Sequence, residues 1–160
     1  MTTARTLSAT HHASETDARR APGSPAARIL VTVAAVTTML GAYVADFNAT
    51  HIYNPTWPPH AKFHNAQTML LATALGACAL VYAWRRAATT THVRTAILFA
   101  SLYWFTSAGS IAFPGTAWTD PDRAGQGLVL GVPVAAAIGF VELALLGAAL
   151  VLSRAQRAAD

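Results

Sequence analysis

The side chains best suited to chemistry lie in one stretch of the chain, from Asp46 to His64, which contains one aspartate and three histidines. Imidazole and carboxylate groups bind transition metals, and imidazole also exchanges protons near neutral pH. Two long apolar runs flank this stretch. We therefore expect the polar groups to gather at a membrane boundary, where the flanking helices position them.

The first hypothesis for this stretch is a metal site. Pro58 and Pro59 suit the first turn of a helix, which would place His60 and His64 on one helical face at positions i and i+4. Further side chains would fold back from the end of the preceding helix. The predicted ligands of zinc or another transition metal are His60, His64, His51 and Asp46.

Two other interpretations of the same residues stay open. In one, His51 and Asp46 act without a metal as general acid and base, since an imidazole exchanges protons near neutral pH and a carboxylate partner can orient it. Substrate would then contact Asn48, Trp57 and Gln67. In the other, these side chains only hydrogen-bond the backbone of the loop. The spacing does not decide among the three.

A second candidate group lies deeper, around Glu142. An ionisable side chain within an apolar helix is costly and marks a functional candidate. Counting along the helices places Tyr103 and Ser107 at a similar depth, so we expect them to bond Glu142 and contact substrate. Removal from water favours the neutral form of a carboxyl group, so Glu142 is predicted to be a proton donor. The predicted catalytic residues are therefore Glu142, Asp46 and His51.

The composition indicates a membrane protein. The chain has 160 residues, of which 54% are hydrophobic and 11% charged, and its mean hydropathy is +0.38. We predict an all-α integral membrane four-helix bundle at residues 28–154. Its expected spans are about 29–46, 60–84, 95–113 and 126–152.

The distribution of basic residues predicts the topology. Nine arginines flank the predicted termini and the middle loop, whereas Lys62 and Arg123 fall on the other side. The positive-inside rule then places both termini in the cytoplasm of a multi-pass protein of the cell membrane, most simply a bacterial inner membrane. The basic excess indicates membrane lipids as partners and not nucleic acid. Cys78, the only cysteine, precludes an intrachain disulfide and reads as a small core residue.

The remaining segments are predicted from composition. Residues 1–27 are polar and lack apolar periodicity, which favours a disordered cytoplasmic tail without a cleaved signal peptide. Residues 155–160 form a second cytoplasmic tail. Asp120 or Asp122 beside Pro121 is predicted to cap the fourth helix, and Pro133 to kink it.

The stretch also carries a family resemblance. The pattern D-x-N-x-T-H-x-x-N-P-x-W-x-P-H-A-x-F-H, from Asp46 to His64, resembles an uncharacterised family of small four-helix membrane proteins of bacteria and fungi. That resemblance implies the fold but no activity. The architecture and Glu142 are more loosely similar to emopamil-binding, sterol isomerase-like proteins, which would imply isomerase chemistry.

Together these observations predict a small membrane enzyme acting on a small apolar or isoprenoid-like substrate. The chemistry would be acid–base, as in an isomerase or cyclase, or metal-assisted. The alternative is a non-catalytic binder of lipids or small molecules, or a small proton-coupled transporter in which Glu142 exchanges protons. A transporter with so few helices would have to assemble as a homo-oligomer.

Overall fold

The structure is a computed structural model that describes residues 22–119 and 125–159. Within these ranges the chain forms four helices, with a two-stranded hairpin before the last one. The helices are α1 (Pro25–Asp46), α2 (Pro59–Trp84), α3 (Thr90–Ser110) and α4 (Val134–Ala159). Most of the predicted N-terminal tail and the predicted cap at Asp120 or Asp122 lie outside the described residues.

Three of these helices are long and apolar enough to cross a membrane, by length and composition. They are α1, α2 and the part of α4 from Val134 to Ala155. Helix α3 does not reach the same hydropathy, because it contains Arg94 and is rich in serine and threonine. The predicted all-helical architecture is therefore confirmed, with three of the four predicted spans meeting this criterion.

Local sequence signals explain where the helices begin. The Ser24 side chain accepts a hydrogen bond from the Ala27 amide, and Pro25 occupies the first turn of α1. Helix α2 likewise begins at Pro59. At the start of α3, the Thr89 and His92 side chains bond each other's backbone amides in a capping box. The first helix thus begins a few residues earlier than predicted.

The helices approach closely because small residues line their contacts. The main core is built largely of alanines from all four helices, including Ala34, Ala79, Ala100 and Ala149. Gly76 of α2 lies at a close approach to α1, since a β-carbon there would collide with the Met39 side chain. Close approach of backbones, and not large interlocking side chains, therefore holds this core together.

The contacts between helices define the arrangement. Helix α1 packs on α2 and α4, α3 also packs on α2 and α4, and α1 touches α3 across the centre. Residues 47–58, 111–119 and 125–133 lie at one end of the helices, which we call the loop end. The other end, where the α2–α3 connection lies, we call the terminal end.

The start of α4 differs from the prediction. A span from about residue 126 was expected, but residues 128–133 form a β-hairpin and the helix begins at Val134. The hairpin turn places Leu130 and Gly131 at φ 51° and 79°, and Gly125 and Gly127 also have positive φ. Glycine readily adopts a positive φ, which is not helical backbone. The helix therefore begins only after the hairpin, and Pro133 is the last residue of the hairpin and does not kink the helix.

Cys78 also differs from its predicted position. The buried positions of α2 are Met69, Ala72, Gly76, Ala79 and Ala83, spaced alternately by three and four residues. Cys78 falls outside this stripe and is exposed. It is therefore a surface residue of α2 and not part of the core.

Candidate functional site

The loop between α1 and α2 is held in shape by its asparagines. Oδ1 of Asn48 accepts hydrogen bonds from the Thr50 amide and hydroxyl at 2.8 and 2.6 Å, and its Nδ2 donates to the Ala45 carbonyl at 2.6 Å. Asn54 repeats the pattern with Thr56. These bonds replace the helical ladder once α1 has ended. Asn48, predicted to contact substrate, thus also folds the loop.

His51 is oriented by two neighbours in this loop. Its Nδ1 lies 2.8 Å from the Thr50 hydroxyl, and its ring meets the edge of Trp57 with 5.0 Å between centroids. Since the Thr50 hydroxyl donates to Asn48, it must accept from His51, which places the imidazole proton on Nδ1. Nε2 then carries a lone pair.

That lone pair faces Asp46. His51 Nε2 lies 3.9 Å from Asp46 Oδ1, and the two side chains are 22% and 18% exposed. The distance is too long for a direct hydrogen bond but short enough for one small group to contact both. Asp46 also interacts with the Asn65 side chain of α2 and with Tyr103 of α3. The predicted pairing of His51 with Asp46 is therefore present in the structure.

A cavity of about 480 Å³ opens beside this pair at the loop end. Its polar wall contains Asp46, Asn48 and His51. The facing wall comes from the segment before α4 and from the first residues of that helix, including Trp118, Gly127 and Val134. The volume lies within the range of small-molecule sites, about 300–1,000 Å³. Among the predicted substrate contacts, Asn48 lines this cavity, whereas Trp57, Gln67, Tyr103 and Ser107 do not.

The other two histidines form a separate pair. His60 and His64 are exposed on the first turns of α2, with 3.0 Å between their Nε2 atoms, and His64 Nδ1 lies 3.2 Å from Gln67 Oε1. Asn65, not His64, faces Asp46. Among the described residues no three metal-ligating side chains come together. The predicted set of His60, His64, His51 and Asp46 is thus split into two pairs, because the imidazoles lie on a different face of α2.

Glu142 has other partners than those predicted. The residue is 3% exposed, its carboxyl group interacts with Thr37 of α1, and within the described chain its Oε2 has no hydrogen-bond partner. Tyr103 instead turns toward Asp46. Ser107 lines a small cavity of about 40 Å³ beside Trp104 and Gly139.

The position of Trp104 accounts for this difference. Its indole packs on Gly139, and its Nε1 donates to the Thr38 hydroxyl at 2.9 Å. Trp104 therefore occupies the side of α3 that meets α4. Tyr103, about 100° around the helix, is directed away from Glu142.

Two residues of the site were not predicted. Thr50 fixes the tautomer of His51, and Asn65 interacts with Asp46. Asn65 continues the buried stripe of α2 by one step, four residues before Met69. That spacing was visible in the sequence and could have identified Asn65 as the inward-facing polar residue.

Within the described residues, the fold and the loop-end site define an all-helical protein with three helices long and apolar enough to cross a membrane and a polar cavity at one end. The chain belongs to the family of unknown function DUF6640, whose model matches residues 30–160. No curated protein and no solved structure matches the chain. Membership of an uncharacterised family is thus shown, whereas the looser likeness to emopamil-binding proteins finds no support in these comparisons.

Proposed function

We propose that the protein is a membrane enzyme that moves a proton on a small, largely apolar substrate held in the loop-end cavity. In this proposal the four helices form a transmembrane bundle in a bacterial cell membrane, with both termini cytoplasmic and the cavity opening on the outer side. The observation that carries it is the pair of Asp46 and His51 on the cavity wall, 3.9 Å apart, with the second imidazole nitrogen already bonded to Thr50.

The geometry suits the movement of a double bond. Asp46 in its protonated form would donate a proton to one alkene carbon, and His51 Nε2 would remove one from the allylic carbon. The double bond shifts, no other reactant is consumed, and the proton returns from His51 to Asp46 through one water molecule that bridges the 3.9 Å gap after the product leaves. Thr50 keeps the imidazole in the tautomer this cycle requires, while Asn65 positions the carboxyl group.

The cavity wall supports the substrate class. The lining includes the apolar residues Val44, Ala45, Pro133 and Ala135 and the aromatic surface of Trp118, with Thr119 and Gln126 as further polar side chains. Apolar walls with a few convergent polar groups are typical of small-molecule sites. A short isoprenoid-like molecule fits this character, with its alkene at the Asp46–His51 pair.

Solvent deuterium provides the test. Protein reconstituted in lipid vesicles is incubated in D₂O with short-chain isoprenoid alcohols, and deuterium incorporation into carbon is followed by mass spectrometry. We expect wild-type protein to incorporate deuterium into one of these alcohols. Asp46→Asn and His51→Gln should each lower the rate at least about a hundredfold.

Two further comparisons make the result decisive. Tyr53→Phe is the matched control, because Tyr53 is exposed in the same loop and does not line the cavity. It should exchange at the wild-type rate. Binding of the labelled alcohol should persist in Asp46→Asn. Exchange that survives in both site variants would exclude the pair as the acid–base groups.

A second candidate function is proton-coupled transport. It is favoured by Glu142, a buried carboxyl group whose Oε2 has no partner within the described chain and which lies outside the lining of the loop-end cavity. In this case the cavity would be a binding site without chemistry, and homo-oligomers would form the pathway. Binding of the alcohol without deuterium exchange, together with a proton flux that Glu142→Gln abolishes, would favour it.

A further inference from the structure

We infer that His60, His64 and Gln67 form a surface site for one divalent transition-metal ion of the Cu²⁺ or Ni²⁺ type. This site is distinct from the loop-end cavity and does not depend on the proposed proton transfer. It uses two protein ligands from one face of α2, and Gln67 as the residue that orients His64.

The distance between the imidazoles allows both to bind one ion. The two Nε2 atoms lie 3.0 Å apart. The 3.0 Å contact is a hydrogen bond between the rings, and it shows that both nitrogens can approach one ion. Two imidazoles completed by water are a donor set that suits Cu²⁺ and Ni²⁺ in tetragonal geometry, with the highest affinity for Cu²⁺.

Gln67 prepares one of the ligands. Its Oε1 can only accept a hydrogen bond, so His64 must donate from Nδ1 across the 3.2 Å contact, leaving the Nε2 lone pair for an ion. A partner that fixes the tautomer of a metal-binding histidine is a regular feature of metal sites. His60 would carry its own proton on Nδ1 when the ion replaces the contact between the two rings.

The surroundings allow the remaining coordination positions to be filled. Both histidines are exposed, so water can complete the coordination of the ion. They lie in the first turns of α2, beside the loop end, and the stacked ring of Phe63 restricts His60. The two ligands are thus held near each other, and because both are exposed, no free energy is spent on removing them from water.

Copper titration tests the inference. Full-length protein without a polyhistidine tag is titrated with Cu²⁺ in detergent, and bound copper is measured by electron paramagnetic resonance. We expect one ion per chain with two coordinated imidazoles. His60→Gln and His64→Gln should each weaken binding at least about a hundredfold, since each removes the chelating second ligand.

The weaker variants separate the roles. Gln67→Leu should weaken binding about tenfold, the lower end for loss of an orienting partner. His51→Gln and the double variant His11→Gln, His12→Gln should bind as wild type, because those histidines lie elsewhere in the chain. Ni²⁺ should compete with Cu²⁺ more effectively than Zn²⁺ does.

Opposite results would overturn the site. Wild-type copper binding in the folded His60→Gln and His64→Gln variants, with circular dichroism unchanged, would exclude these ligands. Loss of the ion in the His11, His12 variant would assign it to the N-terminal segment. Tighter binding of Zn²⁺ than of Ni²⁺ would contradict the assignment to Cu²⁺ or Ni²⁺ in tetragonal geometry.

Discussion

Replacing Glu142 by leucine should stabilise the protein. The carboxyl group is 3% exposed, and its Oε2 makes no hydrogen bond to the described residues. Burying a polar atom without a partner costs about 1–3 kcal/mol, whereas the contact with Thr37 contributes about 1 kcal/mol. Leucine removes both terms at similar volume. The expected net gain is about 1 kcal/mol in the free energy of unfolding, which corresponds to about 3 °C for a chain of this size.

The assay follows unfolding in mixed micelles as the denaturing detergent is raised, with helicity read by circular dichroism. The unfolding free energy of Glu142→Gln is the comparison. Its amide keeps two polar groups at a position where one carboxyl oxygen already lacks a hydrogen-bond partner, so this substitution should not bring the gain expected for leucine. The expected order of stability is leucine above glutamate, with glutamine equal to or below glutamate. Both variants keep the small residues of the surrounding core.

A leucine variant less stable than wild type by more than about 1 kcal/mol would refute this reasoning. It would show that the carboxyl group makes net favourable contacts, of the size a satisfied buried hydrogen bond to a charged group supplies. A more stable variant that has lost deuterium exchange or proton flux would show the opposite. The carboxyl group would then be kept at a cost in stability because it is needed for deuterium exchange or proton flux.

Three further predictions concern packing, the hairpin and topology. Gly76→Ala should destabilise the protein by about 1–3 kcal/mol in the same unfolding assay, because the added β-carbon would collide with Met39. Gly147→Ala is the control, since an added β-carbon there meets nothing within 4 Å, and it should stabilise the protein by about 0.5–1 kcal/mol. Leu130→Asn should stabilise the hairpin by about 1 kcal/mol, because asparagine tolerates the positive φ of this fully exposed position; equal stability of the Asn and wild-type proteins would contradict this. A reporter after Asp160 should be cytoplasmic and one inserted near Thr116 external, and finding both on one side would contradict the proposed bundle.

Much of the helical framework was predictable because hydrophobic runs and proline or serine caps mark helix starts. Helices α1 and α2 begin at Pro25 and Pro59, at or near the signals in the sequence. The hairpin at residues 128–133 was missed because its two leucines and two valines read as part of an apolar span. The repeated glycines before it were the opposing signal, as their positive φ values show.

The candidate site was predictable only in part. Proximity along the chain was enough to pair Asp46 with His51 and His60 with His64. Whether the two pairs lie together depends on the orientation of α2 about its own axis, which is set by the face that packs on α1. Adjacent helical residues differ by about 100° in direction. The prediction directed His64 toward Asp46, whereas the structure directs Asn65 there, so the predicted ligands lie apart.

The loop-end cavity has two walls of different construction. The Asp46–His51 side is braced by its own side-chain-to-backbone bonds, from Asn48 and Asn54. The opposite side is the short hairpin and the turns before α4, held to the helix by the Val134 amide bonded to the Gly127 carbonyl. Substitutions in the second wall can therefore reshape the space for a ligand without moving Asp46 and His51. Under the proposed function, substrate preference would diverge among family members in this way while these two side chains keep their geometry.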